Sequence, residues 1–275
     1  MIRKTSPFQI FFLLGFSLFV FSCSGGKSSI EKKPVILIET DLGKIKVELY
    51  NETPIHRDNF LKLANEGFFD GIVFHRVINM FMIQGGDPST KISADTSELS
   101  DDAGYLLDAE FVPNLFHKKG VIAAARQGDN INPEKKSSGS QFYIVQGKVF
   151  SEQELLLLEK NKNDVLKKTT HNNLILEYAN KLIDEGKNPD FNEINTLLKD
   201  TIDMVINSLP EFKFSPEQIE IYTTIGGTPH LDGDYTVFGE VIEGLDVVDK
   251  IAAVNTDNAD RPLKDIRMKI RVISQ

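Results

Sequence analysis

FHRVINMFMIQGGD, residues 74–87, is a largely apolar segment that also contains an arginine and a glutamine. Its apolar residues are typical of a buried strand, and the glycines near its end indicate a turn. A strand that served only for packing would have no use for the guanidinium of Arg76, which cannot be deprotonated in a protein. Two interpretations follow: an apolar site that needs a permanent charge, or an arginine that only pairs with a carboxylate.

The composition is that of an ordinary globular protein. The chain has 275 residues, of which 41% are hydrophobic. This is enough for a sizeable core in one large domain, or in one domain with an addition. The net charge is −9, and no basic block follows the first few residues. The charge pattern therefore argues against nucleic acid as a partner.

The N-terminus has the layout of a secretory signal. Arg3 and Lys4 precede the apolar run IFFLLGFSLFVF, and the small residues SCSGG follow it. The run is short for a helix that spans a membrane. We therefore predict a signal peptide over residues 1–22, which directs the protein to the cell envelope.

Cys23, the only cysteine in the chain, stands where the signal peptide would be cleaved. The sequence VFSC resembles a bacterial lipobox, in which the cysteine receives a lipid and becomes the new N-terminus. This resemblance implies a protein that faces the periplasm and is anchored to a membrane through a flexible tether over residues 23–33. An uncleaved anchor and an ordinary signal with an incidental cysteine are the alternatives. If the lipid is attached, no cysteine remains for a disulfide.

Most of the chain has the pattern of β structure. VILIETDLGKIKVELY alternates apolar and charged residues after a turn at residues 41–43, which predicts a hairpin. Further strands are predicted over GVIAAA, SQFYIV, YTVFGEVI and IRMKIRVI, and a short helix over GLDVVDKIAAV. Another helix is predicted between Thr53, as N-cap before Pro54, and Gly67. His56 lies in its first turn and is expected to be solvated.

A helical segment interrupts this β pattern. Ser151 with Glu154, and Ser215 with Gln218, match the capping box that begins a helix. Two apolar stripes with helical spacing lie between these caps: Leu174, Ile175, Tyr178, Ala179, Leu182 and Ile183 in one, and Ile194, Leu197, Leu198, Ile202, Val205 and Ile206 in the other. At roughly 70 residues the segment is far too long for a simple connection. We predict a helical insertion over residues 151–221 whose stripes pack on each other.

The sequence offers no candidates for covalent, metal or cofactor chemistry. It contains no HExxH, no paired CxxC, no glycine-rich phosphate loop and no serine in a nucleophile elbow. His75, His117 and His230 lack metal-ligand spacing and are interpreted as packing or surface histidines. We therefore predict that the protein uses neither a metal nor a cofactor.

Several long motifs occur in the order found in one family. The chain resembles the cyclophilin-type peptidyl-prolyl cis-trans isomerases in FHRVINMFMIQGGDP, AEF…FHKKGVIAAAR, SGSQFYI and HLDGDYTVFGEVIEGLDVVDKI. The resemblance implies an isomerase domain over residues 34–150 and 222–275. It implies a mainly β fold, an eight-stranded antiparallel closed barrel, which leaves no edge strand. Two helices, expected at Pro54–Glu66 and Leu245–Val254, would cap the barrel.

The resemblance also implies the residues of the site. Arg76 matches the catalytic arginine of the family. The substrate groove is matched by Phe81, Met82, Gln84, Ala125, Arg126, Gln141, Tyr143, Leu231 and Tyr235. The chain departs from the family pattern at three places. Tyr143 stands where many members have phenylalanine, residues 79–80 replace a Pro-Gly turn, and His230 stands where cyclosporin-sensitive members have tryptophan.

The chemistry of proline isomerisation agrees with this set of residues. Rotation about the peptide bond crosses a barrier of ~18–20 kcal/mol, because the amide has partial double-bond character. As the bond twists, the imide nitrogen becomes a better acceptor, so an arginine aimed at it stabilises the transition state more than the ground state. We therefore expect a monomeric isomerase that acts on proline-containing unfolded or flexible polypeptides during folding of envelope proteins. The alternatives are a binding module without turnover, and a chaperone whose insertion holds clients.

Overall fold

The computed structural model of the protein describes residues 32–91 and 103–274. The predicted signal peptide and Cys23 lie outside the described residues. The described residues from Lys32 onward group into one compact unit by their contacts. In the part of the chain that is described, no helix has both the length and the apolar character needed to cross a membrane.

Two antiparallel sheets contain the strands of the described residues. The strands are β1 Val35–Thr40, β2 Gly43–Leu49, β3 Arg76–Ile78, β4 Met82–Gly85, β5 Leu106–Leu107, β6 Val121–Ala124, β7 Ser137–Ser138, β8 Phe142–Val145, β9 Val237–Glu243 and β10 Met268–Ser274. The larger sheet has eight strands in the order β10-β1-β2-β9-β6-β8-β4-β3, and β5 pairs with β7. The predicted hairpin is confirmed as β1 and β2, in which Thr40 pairs with Gly43. The mainly β class is therefore confirmed.

The larger sheet curls into a half-barrel, and the predicted closed barrel is not shown. Its two end strands, β3 and β10, form no ladder with each other within the described ranges. The chain just before β3 instead meets the start of β10 through the isolated bridge between Val73 and Arg267. Two backbone hydrogen bonds flank this bridge, Phe74 N to Ile266 O at 3.0 Å and Met268 N to Ile72 O at 2.8 Å. This contact is made by residues 72–74, which precede β3, and not by β3 itself.

Two helices pack on the sheet close to where they were predicted, α1 at Pro54–Asn65 and α6 at Leu245–Ala252. The N-terminus of α1 differs from the prediction, because the Thr53 side chain makes no capping bond. The cap comes from Glu110, whose carboxylate accepts the backbone N–H groups of Ile55 and His56 at 3.1 and 3.0 Å. The same carboxylate lies 2.7 Å from Nδ1 of His56, which is buried rather than solvated. Burial lowers the pKa of His56 despite this carboxylate.

Strands β6 and β8 present their side chains alternately to two different clusters. One face belongs to the main core, with Ile122, Ala124, Phe142 and Ile144. The opposite face belongs to a second cluster, with Val121, Ala123, Ala125, Tyr143 and Val145. Aromatic rings stabilise the main core, where the centroids of Phe60 and Phe69 lie 4.8 Å apart. The central strands are thus buried on both faces, and the second face carries residues predicted for the site.

The predicted insertion folds as helices. They are α2 Glu152–Asp184, α3 Phe191–Leu197, α4 Lys199–Ser208 and α5 Pro216–Thr224. Both predicted capping boxes are present, with Ser151 and Glu154 at the start of α2 and Ser215 and Gln218 at the start of α5. The two predicted stripes meet in one cluster: Leu174, Ile175, Tyr178, Ala179, Leu182, Ile194, Leu198, Ile202 and Ile206. Ile183 and Leu197 are exposed instead, and Val205 is half-buried outside this cluster.

A second cluster joins the insertion to the sheet. Leu155 of α2, Phe214 and Tyr222 of α5 pack together with Phe116, which precedes β6. Tyr222 is completely buried there. The predicted boundary at residue 221 therefore falls inside α5, whose Tyr222 packs on Phe116 in the loop before β6.

Both ends of the insertion leave the sheet at one place. The backbone of Lys148 exchanges two hydrogen bonds with that of Gly227, at 3.2 and 3.0 Å. Farther out, the side chain of Asn163 on α2 exchanges two hydrogen bonds with the backbone of Phe212, at 3.0 and 2.8 Å. Residues 165–210, which we term the distal helices, lie beyond this second closure.

Candidate active site

A tight turn between β3 and β4 places the two residues that the sequence singled out. Arg76 and Gln84 are direct partners across the two strands. Met80, in the turn that replaces Pro-Gly, has φ of 61°, the left-handed conformation that glycine would adopt most easily. The backbone N–H groups of Gln146 and Gly147 donate to the carbonyl of Phe81 at 3.0 and 2.9 Å. Phe81 is thereby fixed at the end of the turn.

A cavity of about 240 Å³ opens beside this turn. Its lining consists of Arg76, Phe81, Met82, Gln84, Ala125, Arg126, Tyr143, Leu231 and Tyr235. The structure therefore brings together all the predicted groove residues except Gln141 in one pocket. Gln141 stands next to it, because its Oε1 accepts a hydrogen bond of 2.9 Å from Nε2 of Gln84.

Arg76 lies at the open edge of the pocket. Its Nη1 is 3.5 Å from Oε1 of Gln84, and its Nε is 3.6 Å from Oδ2 of Asp260. The side chains of Arg76 and Asp260 are each 43% exposed, so water screens their attraction. Asp260 has φ of 62° and was missed in the sequence, because no local pattern links it to Arg76. The loose geometry of this pair leaves guanidinium donors of Arg76 available to a substrate.

Aromatic rings form the floor and one wall of the pocket. Tyr143 is buried, and its ring meets that of Tyr235 edge-on with centroids 5.9 Å apart. Burial raises the pKa of Tyr143 well above its usual range, so the phenol stays protonated. The ring of His230 stacks on that of Phe81 at 5.5 Å, and burial lowers the pKa of His230. The uncharged rings on this side of the pocket suit a proline ring.

Arg126 supports the pocket from the side. Its guanidinium carbon lies 4.6 Å from the centroid of the Tyr235 ring. Its Nε donates to the carbonyl of Asp234 at 2.6 Å, and its Nη1 donates to Asp129 at 2.7 Å. These contacts use the charge of Arg126 to hold the Tyr235 wall, which leaves Arg76 as the more open arginine of the two.

Comparison with known proteins identifies the family. The family described as cyclophilin type peptidyl-prolyl cis-trans isomerase/CLD matches residues 35–172 and 214–272, more than half of the chain. The chain belongs to the cyclophilin family. This cyclophilin is accordingly a peptidyl-prolyl cis-trans isomerase, EC 5.2.1.8. The unmatched residues between the two ranges fall in the distal helices and the segment that follows them.

Relatives of this cyclophilin include bacterial proteins named for the same activity. A Staphylococcus aureus (strain USA300) protein named as a peptidyl-prolyl cis-trans isomerase is 30% identical over 232 residues, which cover 84% of this chain and 87% of that protein. A Streptococcus pyogenes serotype M6 protein named as a bifunctional phosphatase/peptidyl-prolyl cis-trans isomerase is 30% identical over 236 residues. The match covers 85% of this chain but only 37% of the Streptococcus protein.

Solved structures agree on the fold. A cyclophilin-type isomerase of Cryptosporidium parvum superposes with a TM-score of 0.52 at 20% sequence identity, over 88% of this chain and 99% of that one. A crystal structure of the same protein in the presence of the dipeptide Ala-Pro gives a TM-score of 0.51. At this identity the comparison supports the curled antiparallel sheet with its helices.

His117 is a residue of this cyclophilin that sequence reasoning placed among packing or surface histidines. It is buried, and its Nε2 lies 3.0 Å from the hydroxyl of Tyr143 in the pocket floor. Nothing in the local sequence pattern could have indicated this contact, because His117 lies in the loop before β6 and Tyr143 lies on β8. Across the residues described, no group of three or more His, Cys, Asp and Glu side chains could hold a metal ion.

Proposed function

We propose that Arg76 accelerates isomerisation by donating a hydrogen bond to the imide nitrogen of the X-Pro bond. The observation that carries this proposal is the half-exposed guanidinium of Arg76 at the edge of a pocket that also contains the apolar side chains of Phe81, Met82 and Leu231. The nitrogen gains acceptor strength only as the bond twists, so the donor favours the transition state over the ground state. Substitution of Arg76, followed by an isomerisation assay on an X-Pro tetrapeptide, is the direct test.

The remaining pocket residues hold the substrate in this proposal. Phe81, Met82, Tyr143 and Leu231 surround the proline ring, and the apolar contact keeps it in place while the bond rotates. Gln84 and Gln141, already hydrogen-bonded to each other, provide amide groups for the substrate backbone. The crystal structure of the Cryptosporidium relative with Ala-Pro supports a proline-containing peptide as ligand. The natural substrates are then flexible or unfolded polypeptides that contain proline, bound by a monomer.

We further propose that the protein works in the cell envelope, anchored to a membrane by a lipid on Cys23. The support is the basic and apolar N-terminal run followed by VFSC. Full-length protein expressed in bacteria fed a radioactive fatty acid should carry the label and sediment with membranes. Cys23→Ser should carry no label, while its isomerase activity is unchanged. An unlabelled wild-type protein would rule out the lipid anchor.

A second candidate function is suggested by a cleft in the insertion. A space of about 420 Å³ between α2 and α3 is lined by His171, Asn172, Ile175, Leu176, Phe191, Asn192 and Asn195. Leu176 and Phe191 are about half exposed, at 50% and 53%. Apolar side chains among amides could hold an unfolded chain, so the distal helices are a candidate client-binding element beside the isomerase.

Removal of the distal helices tests this second function. The chain is cut where Asn163 and Phe212 already meet, and residues 165–210 are replaced by a short Gly/Ser linker. Because loop closure depends only weakly on length, the shortened protein should fold. We expect tetrapeptide isomerisation within about two-fold of wild type, a difference below 0.5 kcal/mol. Acceleration of proline-limited refolding of a whole protein should fall more. Equal rates in the refolding assay would eliminate the client-binding role.

A further inference from the structure

The buried ring of His117 connects two parts of the molecule. Its Nδ1 lies 2.9 Å from Oδ1 of Asp232, and its Nε2 lies 3.0 Å from the hydroxyl of Tyr143. An ionised carboxylate can only accept, so Nδ1 must be the donor to Asp232. Nε2 faces the hydroxyl of Tyr143, and the two atoms share one hydrogen bond. Each ring nitrogen therefore has a defined partner.

Asp232 links His117 to the helices of the insertion. Its Oδ1 also accepts the backbone N–H of His117 at 2.8 Å. Its Oδ2 accepts the hydroxyl of Tyr222 on α5 at 2.6 Å and the side-chain amide of Gln218 at 3.3 Å. Lys162 of α2 donates to the carbonyl of Asp232 at 2.7 Å. Two helices of the insertion thus hold the residue that orients His117.

The other end of this series of hydrogen bonds is the proline pocket. Tyr143 supplies part of the pocket floor through its ring and contacts His117 through its hydroxyl. The rings of His117 and Tyr143 are nearly parallel, at 14°, with centroids 6.1 Å apart. Tyr143, His117 and Tyr222 are all essentially buried, so no water competes for these bonds. A phenylalanine at position 143 would lack the hydroxyl and could not make this connection.

We propose that helix α5 of the insertion holds the proline pocket in its working geometry through Tyr222, Asp232 and His117, acting as positioning residues for Tyr143. The proposal rests on the proposed function, which assigns Tyr143 to the proline pocket. Helix α5 begins within the predicted insertion, but in this proposal it helps to hold the active site in place. The distal helices lie beyond this support and are not required for it.

A double-mutant cycle on the full chain tests the proposal. The value of kcat/KM for an X-Pro tetrapeptide is measured for wild type, Tyr222→Phe, Tyr143→Phe and the double variant. Tyr222 and Tyr143 do not touch, so their effects should simply multiply unless the residues between them transmit one to the other. We expect Tyr222→Phe alone to lower kcat/KM about three-fold. In a protein that already carries Tyr143→Phe, the same substitution should lower the logarithm of kcat/KM by less than about half as much. Independent, multiplying effects would overturn the proposal.

Tyr178→Phe is the matched control. Tyr178 belongs to the cluster of the distal helices, so loss of its hydroxyl should leave kcat/KM unchanged.

If Tyr222→Phe fails to fold, Gln218→Leu takes its place in the cycle with Tyr143→Phe, because Gln218 is the weaker donor to Asp232. Multiplying effects in that cycle would again overturn the proposal. The ¹⁵N resonances of the His117 ring give a second measurement. They should shift in Tyr222→Phe and stay in place in Tyr178→Phe, and unchanged resonances in both would contradict the connection.

Failure of this proposal can be told apart from failure of the proposed function. If Arg76→Ala is inactive while the cycle shows independent effects, the arginine mechanism stands and the positioning role of α5 is lost. If Arg76→Ala keeps wild-type rates, the proposed mechanism fails whatever the cycle shows. Coupling between Tyr222 and Tyr143 in that case would still identify α5 as a support of the pocket.

Discussion

Arg76→Ala is expected to lower kcat/KM for an X-Pro tetrapeptide about 100- to 1,000-fold, the loss typical of removing one transition-state donor. Its melting temperature should stay within about 2 °C of wild type, because a half-exposed ion pair contributes little to stability. Arg76→Lys should restore little, since a point charge on a flexible stem does not reproduce the planar guanidinium. Isomerisation assays and thermal unfolding of the same samples give both values.

Arg271→Ala is the control for this prediction. Arg271 on β10 pairs with Asp70 through two nitrogens, Nη1 to Oδ1 at 2.7 Å and Nη2 to Oδ2 at 2.5 Å. Its removal takes away an arginine that is held more tightly than Arg76 but does not line the pocket. We expect unchanged turnover and a somewhat lower melting temperature. Wild-type turnover in Arg76→Ala would show instead that Arg76 serves only as a partner of Asp260.

Gly147→Ala is expected to destabilise the protein by about 3 kcal/mol, a large effect for one methyl group. Gly147 has φ of 65°, and a Cβ there would lie 2.4 Å from Cα and from the carbonyl oxygen of Gly227. The atoms that this Cβ would meet all belong to the backbone of Gly227, so no flexible side chain can move away to make room. At this size of protein the loss corresponds to a drop of roughly 10 °C in melting temperature. Because the N–H of Gly147 also binds the carbonyl of Phe81, the folded fraction should bind substrate less well.

Gly186→Ala separates the two causes of this loss. Gly186 follows α2 with a similar φ of 74°, but a Cβ there would meet nothing within 4 Å. It should cost only the left-handed backbone conformation, about 1–2 kcal/mol. Urea unfolding of the two variants gives the difference directly. Equal losses would mean that the contact between Gly147 and Gly227 relaxes without cost.

Local patterns in the sequence predicted the parts of this protein that depend on local physics. The hairpin of β1 and β2, both capping boxes of the insertion and the helix α6 lie where alternation, caps and helical spacing indicated. The long motifs led to the correct family, and all of their matched site residues except Gln141 line one pocket. Arg76 could be singled out because a permanent charge within an apolar run needs a reason.

Contacts between distant segments were not predictable in this way. Glu110 caps α1 in place of Thr53, and Asp260 approaches Arg76, although neither pair is close in sequence. The bridge between Val73 and Arg267, at the seam of the curled sheet, likewise joins residues far apart in sequence. The histidine that reaches Tyr143 could not be distinguished from other histidines before the strands were assembled.

The paired exit of the insertion at Lys148 and Gly227 has a mechanical consequence. A client protein that pulled on the distal helices would apply its force to two chain positions that are hydrogen-bonded to each other. The load would therefore reach the closure between Asn163 and Phe212 first and the pair between Lys148 and Gly227 next, and it would peel these bonds apart rather than shear the long ladders of the sheet. Gln146 and Gly147, which hold the carbonyl of Phe81, are the next residues along the chain. Tension on the insertion would thus be felt at the rim of the proline pocket before the rest of the sheet was strained.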